Sequence, residues 1–219
     1  MSVDHYRVSP RDGLSAYWNV CFGGYPYGEN LRLLRHGERK KRVGGLVDLL
    51  MAHHPNTAIH SFEVRLLVSL LDESANQTEG ALMHDIGKTG IDPKLLDKKG
   101  DLTIEEKRQM SFHGPLGGAI LRRVGLPDLA FSAEEHHIGN SKSRVWTERE
   151  LSRRHLETEV LSLADLICAS LDPRRSYRVP VERNVLLDNI ESKIKQGIFS
   201  KTLHERFKNV ILLRNIFPP

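Results

Sequence analysis

Along residues 57–71 the side chains His60, Val64, Leu67 and Leu71 recur at i, i+4, i+7 and i+11, which puts a histidine on the apolar face of an amphipathic helix. Helical punctuation of this kind runs through the whole chain. Residues 43–54 are apolar-rich and stop before Pro55, and residues 76–86 predict a third helix, broken by Gly87 and Gly90. Thr103 and Glu106 have the capping-box spacing and start a helix that runs to about Phe112. Pro115 suits a first helical turn, Gly125 a C-terminal stop, and Pro127 the opening of a short helix toward His136. Thr147 and Glu150 form a second capping pair ahead of a stripe of Leu161, Ala164, Cys168 and Leu171. Two amphipathic helices, near 181–196 and 201–217, close the chain. No run alternates with a period of two, and no repeat of 20–50 residues is visible, so the predicted class is all-α.

With 219 residues the chain can bury one substantial core, with or without a small appendage. The net charge of +4, from 32 basic and 28 acidic residues, is compatible with an anionic small substrate. It is too slight to argue for nucleic acid, and no basic stripe with interleaved aromatics supports that partner. The densest basic run, Arg39, Lys40, Lys41 and Arg42, reads as a solvated helix face or loop before it reads as a phosphate or headgroup contact. Cys21 and Cys168 are far apart in no metal-like spacing, which fits a reducing compartment rather than a disulfide framework. The first ten residues, MSVDHYRVSP, lack the apolar core of a signal peptide, and no window approaches a membrane span. The expectation is a cytoplasmic protein without membrane contact. Residues 1–28 carry several glycines and aromatics and read as an arm: core cover first, or else a pocket lid or homodimer contact through Tyr17, Trp18 and Phe22.

The chemistry-bearing residues begin with His84 and Asp85, adjacent in ALMHDIGK at the end of an apolar run. Imidazole and carboxylate both bind first-row metals. Four other positions invite a bland reading one at a time. His60 could be a core histidine bonded to a carbonyl, His113 a partner for a helix C-terminus, and His136 and His137 a surface pair. Asp165 is harder to dismiss, because it points with the apolar stripe of its helix. A carboxylate there would lose several kcal/mol of hydration on burial. A cation must meet it, in a salt bridge or as a metal.

Taken in order, His60, His84-Asp85, His113, His136-His137 and Asp165 resemble the HD superfamily of metal-dependent phosphohydrolases. The likeness is closer to the HD-GYP branch, known for cyclic di-GMP phosphodiesterases. The stretch from His84 through Lys88 to Gly90 is similar to that branch's HDIGKxG segment. Lys98, Gly100, Leu102, Thr103, Glu105 and Glu106 are similar to its KxGxLTxEE segment, and Met110, His113 and Gly117 to its MxxHxxxG. Ala164-Asp165, followed by Arg175, Ser176, Tyr177 and Arg178, resembles its metal aspartate and RPYR tail. The likeness covers roughly residues 56–215.

Three positions depart from the pattern. Where the GYP element should follow the paired histidines stand Arg144, Val145 and Trp146, and Gly24-Tyr25-Pro26 lies on the wrong side of the site. Asn56 replaces a glutamate that supports a third metal in some members, and Cys168 stands where an acid is common.

The resemblance implies an HD-type phosphohydrolase domain over 43–219, preceded by an arm and leading segment over 1–42. It implies two divalent ions, iron or manganese before zinc, magnesium, nickel or cobalt. His60, His84, Asp85 and Asp165 would hold one ion, and His113, His136 and His137 the other, with Asp85 bridging. Asp85 and Lys88 are then the catalytic candidates. Lys88, Arg175 and Arg178 are the substrate-binding candidates, since guanidinium and ammonium groups take phosphate oxygens. The implied reaction is hydrolysis of a nucleotide or cyclic-dinucleotide phosphodiester by a two-metal-activated water. Three alternatives share the core: a phosphomonoesterase on nucleotides, a dinucleoside polyphosphate hydrolase, and a catalytically degenerate cyclic-dinucleotide sensor or interaction module. The expected partner is a small phosphorylated substrate.

Overall fold

The computed structural model describes residues 38–71, 75–137, 148–172, 174, 181–201, 203 and 205–207. Regular structure among them is entirely helical: α1 Glu38–His53, α2 Pro55–Leu71, α3 Ala75–Met83, a 3₁₀ helix Ile86–Gly90, α4 Pro93–Leu96, α5 Ile104–Ser111, α6 His113–Arg123, α7 Ala130–Glu135, α8 Glu148–Leu171 and α9 Arg183–Lys195. The all-α expectation holds. No helix among the described residues is long and apolar enough to cross a membrane.

Local signals set several boundaries where the sequence placed them. The Thr103 hydroxyl accepts from the Glu106 amide while the Glu106 carboxylate accepts from the Thr103 amide, which completes the capping box of α5. Gly125 adopts φ 76° after α6, and the amides of Leu126 and Gly125 donate to the carbonyls of Leu121 and Arg122. This closes a Schellman motif that only a residue tolerant of positive φ can make cheaply. α8 begins at Glu148, directly after Thr147, a residue outside the described set. Of the expected closing helix near 201–217, only 201, 203 and 205–207 are described.

Other boundaries moved. α1 starts at Glu38 and takes in the basic run. Arg39 forks onto both carboxylate oxygens of Asp128, at 3.0 and 2.6 Å, and its Nε donates to Glu79 at 2.8 Å. Arg42 donates to the Val124 and Gly125 carbonyls. Half of the run therefore pins α1 to α3 and to the turn after α6, while Lys40 and Lys41 remain exposed. α3 ends at Met83, three residues short of the expected Ile86, and His84 and Asp85 lie in the following turn. The physical reason is Gly87. A Cβ there would overlap the His113 carbonyl and the Gly117 amide, so the turn leaves α3 and lies directly against α6.

Two apolar cores share α2. Ala58 and Phe62 pack with Leu50, Met83, Ile86, Leu121 and Leu129. Val64, Leu67, Val68 and Leu71 pack with Leu163, Ile167, Ile190 and Phe207. Each such side chain stabilises by about 1.5–3 kcal/mol when fully buried. His60 falls on α2 between the two sets, so it surfaces at the seam where the cores meet.

Candidate metal centre

Every sequence-predicted ligand reaches that seam. His84 and Asp85 arrive from the turn after α3, His113 from the first residue of α6, and His136 and His137 from the end of α7. His60 and Asp165 come from the middles of α2 and α8. His60, His84, Asp85, His113 and His136 are buried. His137 is half open, with 47% of its side chain exposed.

Asp85 sits at the centre. Its Oδ2 lies 3.3 Å from His84 Nε2, and its Oδ1 lies 3.5 Å from His113 Nε2 and 3.8 Å from His136 Nε2. The two carboxylate oxygens thus face different histidines, as a bridging group must. Asp165 Oδ1 is 2.8 Å from His60 Nε2 and 3.9 Å from His84 Nε2. The cation that this carboxylate required is here at least an imidazole. Lys88 Nζ contacts Asp85 Oδ2 at 2.6 Å, reaching it from the 3₁₀ helix rather than from a continued α-turn.

Three histidines are oriented by their own backbone. The Nδ1 groups of His84, His113 and His136 bond the carbonyls of Ala81, Met110 and Ala133, each three residues earlier. When Nδ1–H donates in this way, a neutral ring presents its Nε2 lone pair inward, the arrangement common to metal-binding histidines. The lone pairs then converge. His113 Nε2 lies 3.2 Å from His136 Nε2 and 3.1 Å from His137 Nε2. His84 Nε2 is buried with no hydrogen-bond partner.

The electrostatics agree. Burial drives His113 down to about 4, against the pull of Asp85. Burial likewise drives His136 well below the ordinary histidine value, and His137 below it. Lowered proton affinity favours the neutral form of all three rings, and with Nδ1–H of His113 and His136 given to carbonyls their Nε2 lone pairs face each other. His84 moves the other way: burial opposes its charge, but Asp85 and Asp165 outweigh it and raise its affinity for a proton. Burial also opposes ionisation of Asp85 and Asp165. Lys88 and His84 nevertheless hold Asp85 ionised, and the His60 hydrogen bond does so for Asp165. At His113, His136 and His137 the cage therefore offers neutral imidazoles, and at Asp85 and Asp165 anionic carboxylates, the protonation states that a divalent cation needs.

One donor atom from each of His113, His136 and His137 lies within 4.8 Å of the others, and the same holds for His60, His84 and Asp85, and for His84, His136 and Asp165. A thiolate-free set of this kind suits iron, manganese, zinc and similar ions. The buried Nε2 of His84, which has no hydrogen-bond partner and faces two carboxylates, and the clustered Nε2 atoms of His113, His136 and His137 fit such an ion.

A cavity of about 210 Å³ opens on the cage. Its lining includes His60, His113, His137 and Lys88 from the site and the apolar side chains Leu95, Leu96, Leu102 and Met110. Arg174 also lines it, bonded to Asp172 at 2.7 Å and to Glu63 at 2.5 Å. Sequence reading chose Arg175 and Arg178 as substrate-binding candidates. Both arginines lie outside the described residues, and within them Asp172 pairs with Arg174. His54 and Asp97, bonded at 3.0 Å across the cavity rim, were also missed. A histidine directly before a helix-opening proline was the one available hint.

A helical bundle whose helix middles and helix ends bring imidazoles and carboxylates to one largely buried cage is the class defined by fold and site. The HD domain family model matches residues 57–170, and the chain belongs to that family. It is 35% identical over 133 residues to a cyclic di-GMP phosphodiesterase of Thermotoga maritima, covering 58% of this chain and 35% of that protein. It is 30% identical over 173 residues to the 3'3'-cGAMP-specific phosphodiesterase 3 of Vibrio cholerae, covering 72% of this chain and 36% of that protein. The chain thus spans about a third of the length of these relatives.

Proposed function

We propose that this chain is a metal-dependent phosphohydrolase domain that cleaves the phosphodiester of a cyclic dinucleotide. The observation carrying this reading is the buried convergence of five imidazoles and two carboxylates beside a cavity that also presents Lys88. His60, His84, Asp85 and Asp165 would hold one divalent ion and His113, His136 and His137 a second, with Asp85 shared. Iron and manganese are the first candidates, ahead of zinc, magnesium, nickel and cobalt. Bound there, such ions supply Lewis acidity to a phosphoryl oxygen and to a water.

The chain's own residues do the rest. Asp85 stays ionised because Lys88 and His84 outweigh its burial. Lys88 places an ammonium between Asp85 and the cavity, positioned to take a phosphoryl oxygen or to orient the attacking water. The carbonyl bonds of His84, His113 and His136 fix ring orientation before substrate arrives. Arg175 and Arg178 are proposed to hold the distal phosphate. Two relatives whose names specify cyclic-dinucleotide phosphodiesterases support this substrate class.

A second reading, a phosphomonoesterase on nucleotides, is favoured by the cavity volume. About 210 Å³ is below the roughly 300–1,000 Å³ of sites that enclose a drug-sized ligand. The complete ligand set argues against a degenerate sensor. Metal-stripped protein reloaded with manganese or iron, then assayed against cyclic dinucleotides, nucleoside monophosphates and bis(p-nitrophenyl) phosphate, separates the three. Turnover of a cyclic dinucleotide to its linear form supports the first reading, and release of inorganic phosphate alone supports the second. Stoichiometric metal with no turnover of any substrate would return the chain to the sensor reading.

A further inference from the structure

His54 is a buried histidine that the metal chemistry does not use. It precedes Pro55, and its Nδ1 accepts from the Thr57 amide at 3.2 Å and lies 2.8 Å from the Thr57 hydroxyl. The imidazole therefore caps α2, a task usually given to Ser, Thr, Asp or Asn. Because Nδ1 is the acceptor, the proton sits on Nε2, which donates to Asp97 Oδ1 at 3.0 Å. One neighbour along, His53 Nε2 bonds the Ile91 carbonyl at 2.8 Å. Two consecutive histidines thus clamp both ends of the 91–97 segment, which carries Leu95, Leu96 and Asp97 into the cavity wall.

The chemistry of that wall is specific. Leu95, Leu96, Leu102 and Met110 line the cavity together with His113, His137 and Lys88 and offer apolar surface for a flat ring. Asp97, with 62% of its side chain exposed, adds a carboxylate, which only accepts hydrogen bonds when ionised. Among the common nucleobases only guanine presents two adjacent donors on one edge, N1–H and N2–H₂. Adenine pairs one donor with one acceptor, cytosine runs donor, acceptor, acceptor, and uracil has a single donor between two acceptors. Asn56 lines the same cavity, and its amide NH₂ can donate to the O6 beside those donors.

Resting on the cyclic-dinucleotide reading of the cage, we propose that Asp97, held by the helix-capping His54, is the guanine-recognition residue of this chain. The flat base lies on the leucine and methionine wall while its phosphate faces Lys88 and the histidines. Asp97 is the specificity-determining group, and His54 is a positioning residue that acts through it. A site built around a hydrogen bond to a substrate N–H discriminates strongly against an analogue that lacks it.

The test compares guanine with hypoxanthine, which differs only in lacking the N2 amino group. Calorimetric binding of GMP, IMP and AMP to the manganese-loaded protein, and KM for cyclic di-GMP against cyclic di-IMP, are measured for wild type and Asp97→Asn. Wild type is expected to prefer guanine over hypoxanthine by about tenfold or more, the scale of a hydrogen bond to a charged group. In Asp97→Asn the preference should shrink to within about twofold. His54→Asn, which retains a cap, should reduce the preference partially. A merely structural tether would weaken both bases equally and leave the ratio unchanged, which overturns the proposal, as does equal affinity of wild type for GMP and IMP. Guanine preference in binding without turnover would sustain the base assignment while sinking the hydrolase reading. Turnover without that preference would do the reverse.

Discussion

The two sides of the cage are built by different means. On one side, His84, His113 and His136 are oriented by carbonyls three residues before them, each within its own turn. On the other, His60 and Asp165 meet across 105 residues of sequence and depend on α2 packing against α8. The first side is local geometry placed together by α6. The second exists only once Val64, Leu67, Leu163 and Ile167 have formed their core. Local locks make a ligand precise, and distant packing makes a pair of ligands conditional on stability.

The largest test removes the residue common to both sides. Asp85→Ala should lower metal content to near zero and activity by more than about a hundredfold, since even outer partners of metal ligands cost 10–100-fold. Elemental analysis alongside the diesterase assay reads both, and a variant that keeps its metals and its activity would remove Asp85 from the centre. Next, Ile167→Ala opens a void in the core that joins α2 to α8, on the distant-packing side. It should cost about 2–5 kcal/mol in urea unfolding. Metal occupancy should fall toward one ion per chain, because only one side depends on this core. Equal loss of both ions would erase the contrast.

Acid should then act on the local side. The lowered pKa values of His113, His136 and His137 mean that the unfolded chain binds protons that the fold refuses. Stability of metal-free protein should therefore fall as pH drops from about 6.5 to about 4, by on the order of 3 kcal/mol from His113 alone. His84 has the opposite sign, since its raised pKa adds stability at low pH that is lost as pH rises through the folded value. Three rings outweigh one, so thermal midpoints between pH 7 and 4.5 should decline, and a flat profile would contradict the neutral-ring assignment. The smallest effect belongs to Gly87→Ala. Overlap with the His113 carbonyl should force the turn away from α6 at about 1–3 kcal/mol, loosening the histidine trio before the His60–Asp165 pair. Nuclear magnetic resonance of the imidazole nitrogens would show which rings move.

Legibility in the sequence followed the same division. The capping box at Thr103 and the stop at Gly125 could be read because each signal is contained in a few neighbouring residues. Asp165 could be argued from the cost of an unpaired carboxylate on an apolar stripe, and it does meet an imidazole. The early end of α3 could not be read, since it follows from backbone on α6 that has no local sign at Gly87. Nor could the contribution of Arg39 and Arg42, whose partners lie 40 to 89 residues away. Arg174 was passed over because it belongs to no motif, and its tie to Glu63 spans 111 residues. His54 escaped for a similar reason: its capping bond is local, but the carboxylate that gives it meaning is 43 residues on.

The opposite behaviour of His84 carries a consequence for how the cage fills. Burial opposes charge on that ring, yet Asp85 and Asp165 raise its affinity for a hydrogen ion. A divalent ion seated there would compete with that hydrogen ion, whereas burial already weakens proton binding at His113, His136 and His137. Titrations of manganese into the protein, run in buffers of differing ionisation heat, should accordingly register proton release that grows as pH falls.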